Sequence, residues 1–441
     1  MFLDKALDEI GKKNKIVAGI DLANDYAQIS YCRLDQSMPD TVSQVMGEEQ
    51  YNIPVVLCRK HQEGSENDIW VMGKDALQMA KEGTGDLVED LLLLVRNETT
   101  AQVGDHEYTA EFLMEIFFRK ILALMAAYTG GLDIAGLAIT IRDMEPQVCN
   151  ALKKAALRAM GNKGNVYFLS HQDCFFQYIL HQPEEMWVHD VLLFDYKKDG
   201  VRGYHMQMNR NSSPVVCLIN EEKFPQMKMT DVSQMTDSQK KAFFTQLDSA
   251  FLEIVRNQCE NKMITSAFLL GDVFSKDWCK ESLRYLCKDR RVFQGNNLFS
   301  KGACYGAREK VLPSTLSTSY VYLSEEALHA NIGMHCNRGK EEIYYPLLDA
   351  GTNWYDADRQ IDLILARDNT LALTITPVDG GQPRIARITL EGLTVRGNKT
   401  NRIGLHICMK NAETVQIEIA DKGFGEFYPS SGRTWKESFV V

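Results

Sequence analysis

The sequence predicts an α/β protein of two lobes built to one plan, followed by an all-β unit. Two observations predict it. The order hairpin-led sheet, helix, strand, helix runs twice through the first three hundred or so residues, and after Leu312-Pro313-Ser314 helical periodicity gives way to short alternating runs. The boundaries so drawn are residues 1–316 for the α/β part, with lobes over about 1–188 and 189–316, and 317–441 for the β-rich part.

In the first lobe, Lys15 to Asp21 reads as a strand, Ala23-Asn24-Asp25 as a polar turn and Tyr26 to Leu34 as the returning strand. Ile53 to Leu57 is a further β-type run with Pro54 near its start. Leu113, Phe117, Ile121, Leu124 and Met125 recur at helical spacing, so Ala110 to Tyr128 is a helix. Leu137 to Ile141, bounded by Gly136 and Arg142, is a strand, and the alanine-rich run Pro146 to Met160 a helix ended by Gly161 and Gly164. Val166 to Leu169 and Gln172 to Leu180 supply the next strand and helix.

The second lobe repeats the order. Val191 to Tyr196 is a buried-strand pattern, Lys197-Lys198-Asp199-Gly200 a turn, and Val201 to Met208 the returning strand. Pro214 to Ile219 adds a strand and Ser238 to Asn261 a long amphipathic helix, followed by a strand at Ile264 to Gly271 and helices at Lys276 to Cys287 and Phe299 to Lys310. Beyond residue 316, Leu371-Leu373-Ile375, Ile403-Leu405-Ile407-Met409 and Val415-Ile417-Ile419 alternate with period two. The last two runs flank a hairpin connection at Lys410 to Glu413, and Gly380-Gly381 and Gly397-Asn398 mark further turns, which together predict a β-sandwich-like domain. Trp354, Tyr355, Phe424, Phe427, Tyr428 and Trp435 form either its core or a partner-binding surface.

Bulk composition narrows the function classes. Charged residues are 24% and hydrophobic ones 45%, which suits packed cores, and the formal charge of -10 argues against a surface that coats nucleic acid. Met1 to Lys15 lacks the apolar run of a secretory leader, and Ala110 to Tyr128 is broken by Glu115, Arg119 and Lys120, so no membrane span is expected. The eleven cysteines are scattered singly without CxxC, the pattern of reduced thiols in a cytoplasmic protein, and His335-Cys336 is too isolated for a metal site.

Gly19-Ile20-Asp21-Leu22-Ala23-Asn24 resembles the first phosphate loop of DnaK-type chaperones. Ile53-Pro54-Val55-Val56, Gly73-Lys74-Asp75-Ala76 and Ala138-Ile139-Thr140 are similar to that family's next landmarks. Phe194-Asp195 falls where its second phosphate loop begins, Leu269-Leu270-Gly271-Asp272 resembles its adenosine-site strand, and Gly302 to Ala307, including Gly306, its closing helix. These occur in the family's order over most of the first 316 residues. The resemblance implies a duplicated actin-like ATPase fold of the actin/heat-shock-chaperone/sugar-kinase superfamily, with ATP or ADP and Mg²⁺ as ligands. Asp21 and Asp195 would face the metal, and Asn24, Lys197, Asp199, Gly200, Gly271, Asp272 and Gly306 the nucleotide. By position, residues 317–441 correspond to the chaperones' peptide-binding β domain.

Several landmarks depart from the pattern. Where the second loop of the family reads Asp-Leu-Gly-Gly-Gly-Thr, this chain has Asp195-Tyr196-Lys197-Lys198-Asp199-Gly200, whose side chains crowd the space of the β- and γ-phosphates. The family's lysine falls near Leu91 and its glutamate near His171. Asp21 is therefore read either as a Mg²⁺-water ligand or as a turn aspartate, Lys197-Lys198 as phosphate-binding charges or a solvated turn, and His171 as a general base or a structural residue. The expected function is a chaperone-like protein with a degenerate nucleotide pocket that binds a protein or peptide partner. An active Mg-ATP-binding ATPase and a small-molecule kinase of the same superfamily are the competing expectations, and neither nucleic acid nor membrane is expected as a partner.

Overall fold

The computed structural model describes residues 15–441 apart from 46, 62–68, 212–213, 296, 325–326, 340, 366–367, 378–381 and 397–399. Most of the opening segment Met1 to Lys15 and the Gly380-Gly381 and Gly397-Asn398 turns lie outside the described residues. The chain divides into two compact units, with the boundary between Tyr322 and Leu323. It falls a few residues beyond the expected position because Tyr320–Tyr322 forms a strand parallel to Val215–Phe224 and so belongs to the α/β unit.

The α/β unit contains two large mixed sheets. In the first, Lys15–Leu22 is central, with Asp133–Thr140 and then Asn165–Phe168 parallel on one side and Tyr26–Arg33 and Asp40–Thr41 antiparallel on the other. In the second, Asp190–Lys197 is central, with Ile264–Leu270 and then Arg291–Gly295 parallel on one side and Gly200–Asn209 and Val215–Phe224 antiparallel on the other. The two five-strand runs share one order and one set of directions. Their central strands are buried nearly throughout, as near-continuous apolar sequences paired on both edges require.

Two helices join the sheets on the buried side. His171–Leu180 and Leu298–Val311 pack on each other within one apolar cluster that takes Val17, Cys32 and Ala138 from the first sheet and Val191, Leu193 and Met206 from the second. A second cluster fills the far face of the second sheet, where Phe251 of the Asp237–Cys259 helix meets Phe194, Phe274 and Trp278. The helix starts follow from local sequence. Thr109 accepts from the Phe112 amide at the head of Ala110–Thr129, and Ser170 with Asp173 forms a reciprocal capping box that fixes His171 in the first turn.

Three expectations are corrected. The helix expected over Lys276 to Cys287 begins only at Lys280, because Trp278 is buried against Tyr196 and donates its Nε1–H to the Val273 carbonyl, which holds the preceding segment in turns. The Pro214 to Ile219 strand extends to Phe224, and the Lys197 to Gly200 turn is tighter than expected, with only Lys198-Asp199 outside the strands.

The second unit consists of two four-stranded antiparallel sheets. Glu341–Leu348, Ala330–Arg338, Thr370–Pro377 and Arg384–Thr389 form one; Asp358–Leu365, Asn401–Asn411, Thr414–Asp421 and Thr434–Val440 form the other. Ile403, Leu405, Ile407, Val415, Ile417 and Ile419 alternate into its core, as their period-two spacing predicts. Of the aromatics in question only Trp354 is buried. Phe424 is exposed, and Phe427 is 92% exposed. Among the described residues no helix is long and apolar enough to cross a membrane, and all eleven cysteines are free thiols.

Candidate functional site

Asp21 and Asp195 occupy matching places. Each is buried, sits near the end of its sheet's central strand and is followed by the hairpin to the antiparallel neighbour. Asp21 lies level with Thr140 and Gln28, Asp195 level with Leu270 and Arg202. Placing a carboxylate in such a buried position is costly unless charge and hydrogen bonds answer it, and the chain answers both carboxylates itself.

His171 Nε2 lies 3.3 Å from Asp21 Oδ1, and its ring is stacked on Phe299 with centroids 3.8 Å apart. Burial alone would raise the Asp21 pKa. The His171 hydrogen bond and the charges of Lys197, His171 and Arg142 outweigh it and hold the group below its ordinary value. Lys197, partly buried, reaches from the second hairpin to place its ammonium 5.2 Å from the ring centre of Tyr26 on the first. Burial opposes its charge, but Asp195, Tyr26 and Asp21 override that and raise its pKa. Tyr26 is pushed up in turn, first by burial and then by the carboxylates around it.

Arg142 closes the other side. Its Nη1 donates to both carboxylate oxygens of Asp199 at 2.7 and 2.8 Å, and Nη2 approaches Asp195 Oδ2 at 3.4 Å. The next residue, Asp143, receives both terminal nitrogens of Arg202 at 3.1–3.2 Å. Arg202 also donates to Glu221 at 3.1 Å, and Glu221 accepts from Gln172 at 2.7 Å. Asp199 is pulled down chiefly by the Arg142 hydrogen bond and charge, against burial.

The remaining predicted residues divide. Asn24 lies exposed in the first turn and Lys198 exposed in the second. Gly200 has φ +129, and a Cβ there would stand 2.6 Å from the Phe224 carbonyl oxygen; glycine lets the two-residue hairpin close. Gly271 has φ +104 and touches the Tyr196 backbone so closely that a Cβ would lie 2.2 Å from its oxygen. A Cβ on Gly306 would meet the Leu169 side chain, which makes it a helix-packing position in this structure. Asp272 accepts from Asn52 Nδ2 at 3.3 and 3.4 Å, and Asn52 accepts from Gln28. Leu91 is buried at the start of a short helix, Leu91–Arg96. His335-Cys336 lies on a strand of the other unit; among the described residues no group of three or more His, Cys, Asp or Glu side chains is placed to hold a metal ion.

Tyr26, Asn52, Arg142, Asp143, Arg202 and Glu221 were not singled out by sequence reasoning. The available signal was an Arg-Asp pair directly after a buried strand, where solvated charges are ordinary and only the fold supplies their partners.

Residues 38–325 match a family described as family of unknown function (DUF5716), C-terminal, and residues 327–441 match a domain of unknown function (DUF8552). No curated protein matches the chain.

Proposed function

The chain belongs to the DUF5716 family, and on that premise we propose that its α/β unit is an actin/DnaK-type two-lobed module whose nucleotide pocket has been converted into a structural joint. In this reading it is a chaperone-like, protein-binding scaffold rather than an ATPase. The duplicated sheet order and the paired hairpin carboxylates support the fold assignment. The observation that carries the functional reading is the position of Lys197 and Arg142. In a nucleotide-binding relative, the two carboxylates would face Mg²⁺ and its waters, and the hairpin amides the phosphates. Here both carboxylates already face cations of the chain, and the hairpin tip is bound through Asp199 to a guanidinium. A Mg²⁺–triphosphate would have to displace both, so the residues present do not fit it, and no catalytic step is assigned to it.

The test is a thermal-shift and calorimetric titration of the purified chain with Mg²⁺-ATP and Mg²⁺-ADP. No melting shift at millimolar nucleotide is expected, because only a ligand of the native state raises it. A saturable shift with heat of binding would reinstate the ATPase reading. Partner binding is supported by Phe424 and Phe427, which stand exposed in the loop between Thr414–Asp421 and Thr434–Val440. Suppression of aggregation of a denatured test protein is the expected activity. Phe427→Ser should weaken it without altering the melting transition, and equal suppression by the variant would remove this surface from the proposal.

A further inference from the structure

The two sheets share the apolar cluster around His171–Leu180 and Leu298–Val311, which leaves the hairpin ends at Leu22–Tyr26 and Tyr196–Gly200 outside it. Contact between the two sheets at their hairpin ends therefore needs its own cause. In the structure that cause is polar, and it has an internal symmetry. Asp21 pairs in register with Thr140 and Asp195 with Leu270. Two residues beyond those partners come Arg142 in one copy and Asp272 in the other. Both side chains leave their own sheet and bond to the opposite lobe, Arg142 to Asp195 and Asp199 and Asp272 to Asn52. The strand facing each hairpin carboxylate adds a second contact: Arg202 reaches Asp143 across the cleft, and Gln28 holds Asn52 in place.

We infer that these two crossings form a latch that keeps the lobes closed without any ligand, a device that rests on the reading of the pocket as a structural joint. The Arg142-Asp143 crossing is the stronger half. It combines Arg142, whose Nη1 bridges both Asp199 oxygens, with Arg202, whose two terminal nitrogens both engage Asp143; the guanidiniums are largely shielded from water and the two carboxylates are exposed. The Asp272–Asn52 crossing is longer, exposed and carries charge on one side only. A latch of this composition weakens with ionic strength, because part of its attraction runs between groups that solvent reaches.

Hydrogen exchange on the full chain tests it. In the wild type, exchange of Tyr26–Arg33 and Gly200–Asn209 should be slow with or without Mg²⁺-ATP and should quicken as salt is raised. Arg142→Ala should speed exchange in both segments about tenfold and lessen their salt response, the Asp143–Arg202 pair remaining, while the buried Leu298–Val311 helix stays protected. Asp199→Ala and Asp272→Ala alter exposed residues that leave the core intact; the first should speed exchange by several-fold and the second less. If none of the three changes exchange in either segment, the latch is refuted. If exchange rises equally in the Leu298–Val311 helix, the residues serve general stability and the latch is likewise refuted. Slowing of wild-type exchange by Mg²⁺-ATP would overturn the structural-joint reading, whereas unaltered exchange in the variants would overturn the latch alone.

Discussion

The two halves of the α/β unit share a backbone plan and almost nothing of its chemistry. The first hairpin carries a single buried carboxylate, Asp21, answered by His171, and turns through exposed residues including Asn24. The second carries Asp195 and Lys197 at the end of its strand and Asp199 in the two-residue turn, answered by Arg142 from the opposite lobe. Two residues beyond the partner of each carboxylate, the first sheet presents a guanidinium, Arg142, and the second a carboxylate, Asp272. The shared plan thus fixes where side chains can stand, and a few residues at the strand ends decide which of them bond to the opposite sheet.

Making one copy resemble the other should break it. Two residues before Asp21 stands Gly19; two residues before Asp195 stands Leu193, a core residue. At Gly19 the Leu298–Val311 helix rests on the strand backbone itself, and an added Cβ would lie 2.2 Å from the Cys304 nitrogen and 2.4 Å from the Ser300 carbonyl oxygen. Both are main-chain atoms that cannot rotate away. Gly19→Leu should abolish cooperative unfolding, and Gly19→Ala should cost about 3 kcal/mol or more in denaturant titration. A Gly19→Ala chain of ordinary stability would mean that the helix does not pack as described.

Removing the carboxylates compares the hairpins directly. Asp195→Ala strands Lys197 and Arg142 together in a partly buried site and should cost about 3 kcal/mol. Asp21→Ala leaves the buried His171 without its side-chain hydrogen-bond partner and should cost about 2 kcal/mol. The order matters more than the sizes. If Asp21→Ala proves the more damaging in urea unfolding, Lys197 depends on the first hairpin more than the second.

Much of the scaffold was legible before any coordinates. Both hairpins, the long helices at Ala110–Thr129 and Asp237–Cys259, and the alternating strands near the C-terminus follow from periodicity, which is a local property of the chain. Asp21 and Asp195 were singled out by the resemblance of Gly19-Ile20-Asp21-Leu22 and Phe194-Asp195 to the phosphate loops of DnaK-type chaperones, and both stand near the ends of central strands. Arg142 was read only as the residue that ends a strand. Its partners are more than fifty residues away, and nothing near it in sequence says that it is partly buried or paired. Lys197 was weighed as a solvated turn residue for the same reason; its ring contact with Tyr26 exists only once the two hairpins face each other. The Lys276 to Cys287 helix was misjudged because Trp278 satisfies helical spacing yet is claimed by the aromatic cluster beneath Tyr196.

Acid titration sharpens the comparison on the first hairpin. The Asp21 pKa is below its unfolded value of 3.8 in the folded chain, so its contribution is fully present above that value and is lost as pH falls through the lower folded pKa. The wild type should therefore lose stability steeply below about pH 4. In Asp21→Asn the same limb should be shallower while the neutral-pH stability is already reduced. Parallel acid limbs for the two proteins, measured by urea midpoint against pH, would show that Asp21 titrates alike in both states.

The smallest expected difference lies at the two hairpin tips. Asn24 is exposed in a turn whose closure rests on the Ala23 amide donating to the Tyr26 carbonyl, a bond that needs no particular side chain at Asn24. Asn24→Ala should change stability by no more than about 0.5 kcal/mol. Asp199 is also largely exposed, but it receives both hydrogen bonds from Arg142 Nη1, so Asp199→Ala should cost up to about 1 kcal/mol, the upper range for an ion pair that solvent reaches. High salt should shrink the Asp199 effect and leave the Asn24 effect unchanged, because only the former is Coulombic. Equal, salt-insensitive effects at the two tips would mean that Arg142 does not distinguish them, and the asymmetry between the lobes would then reside in Lys197 alone.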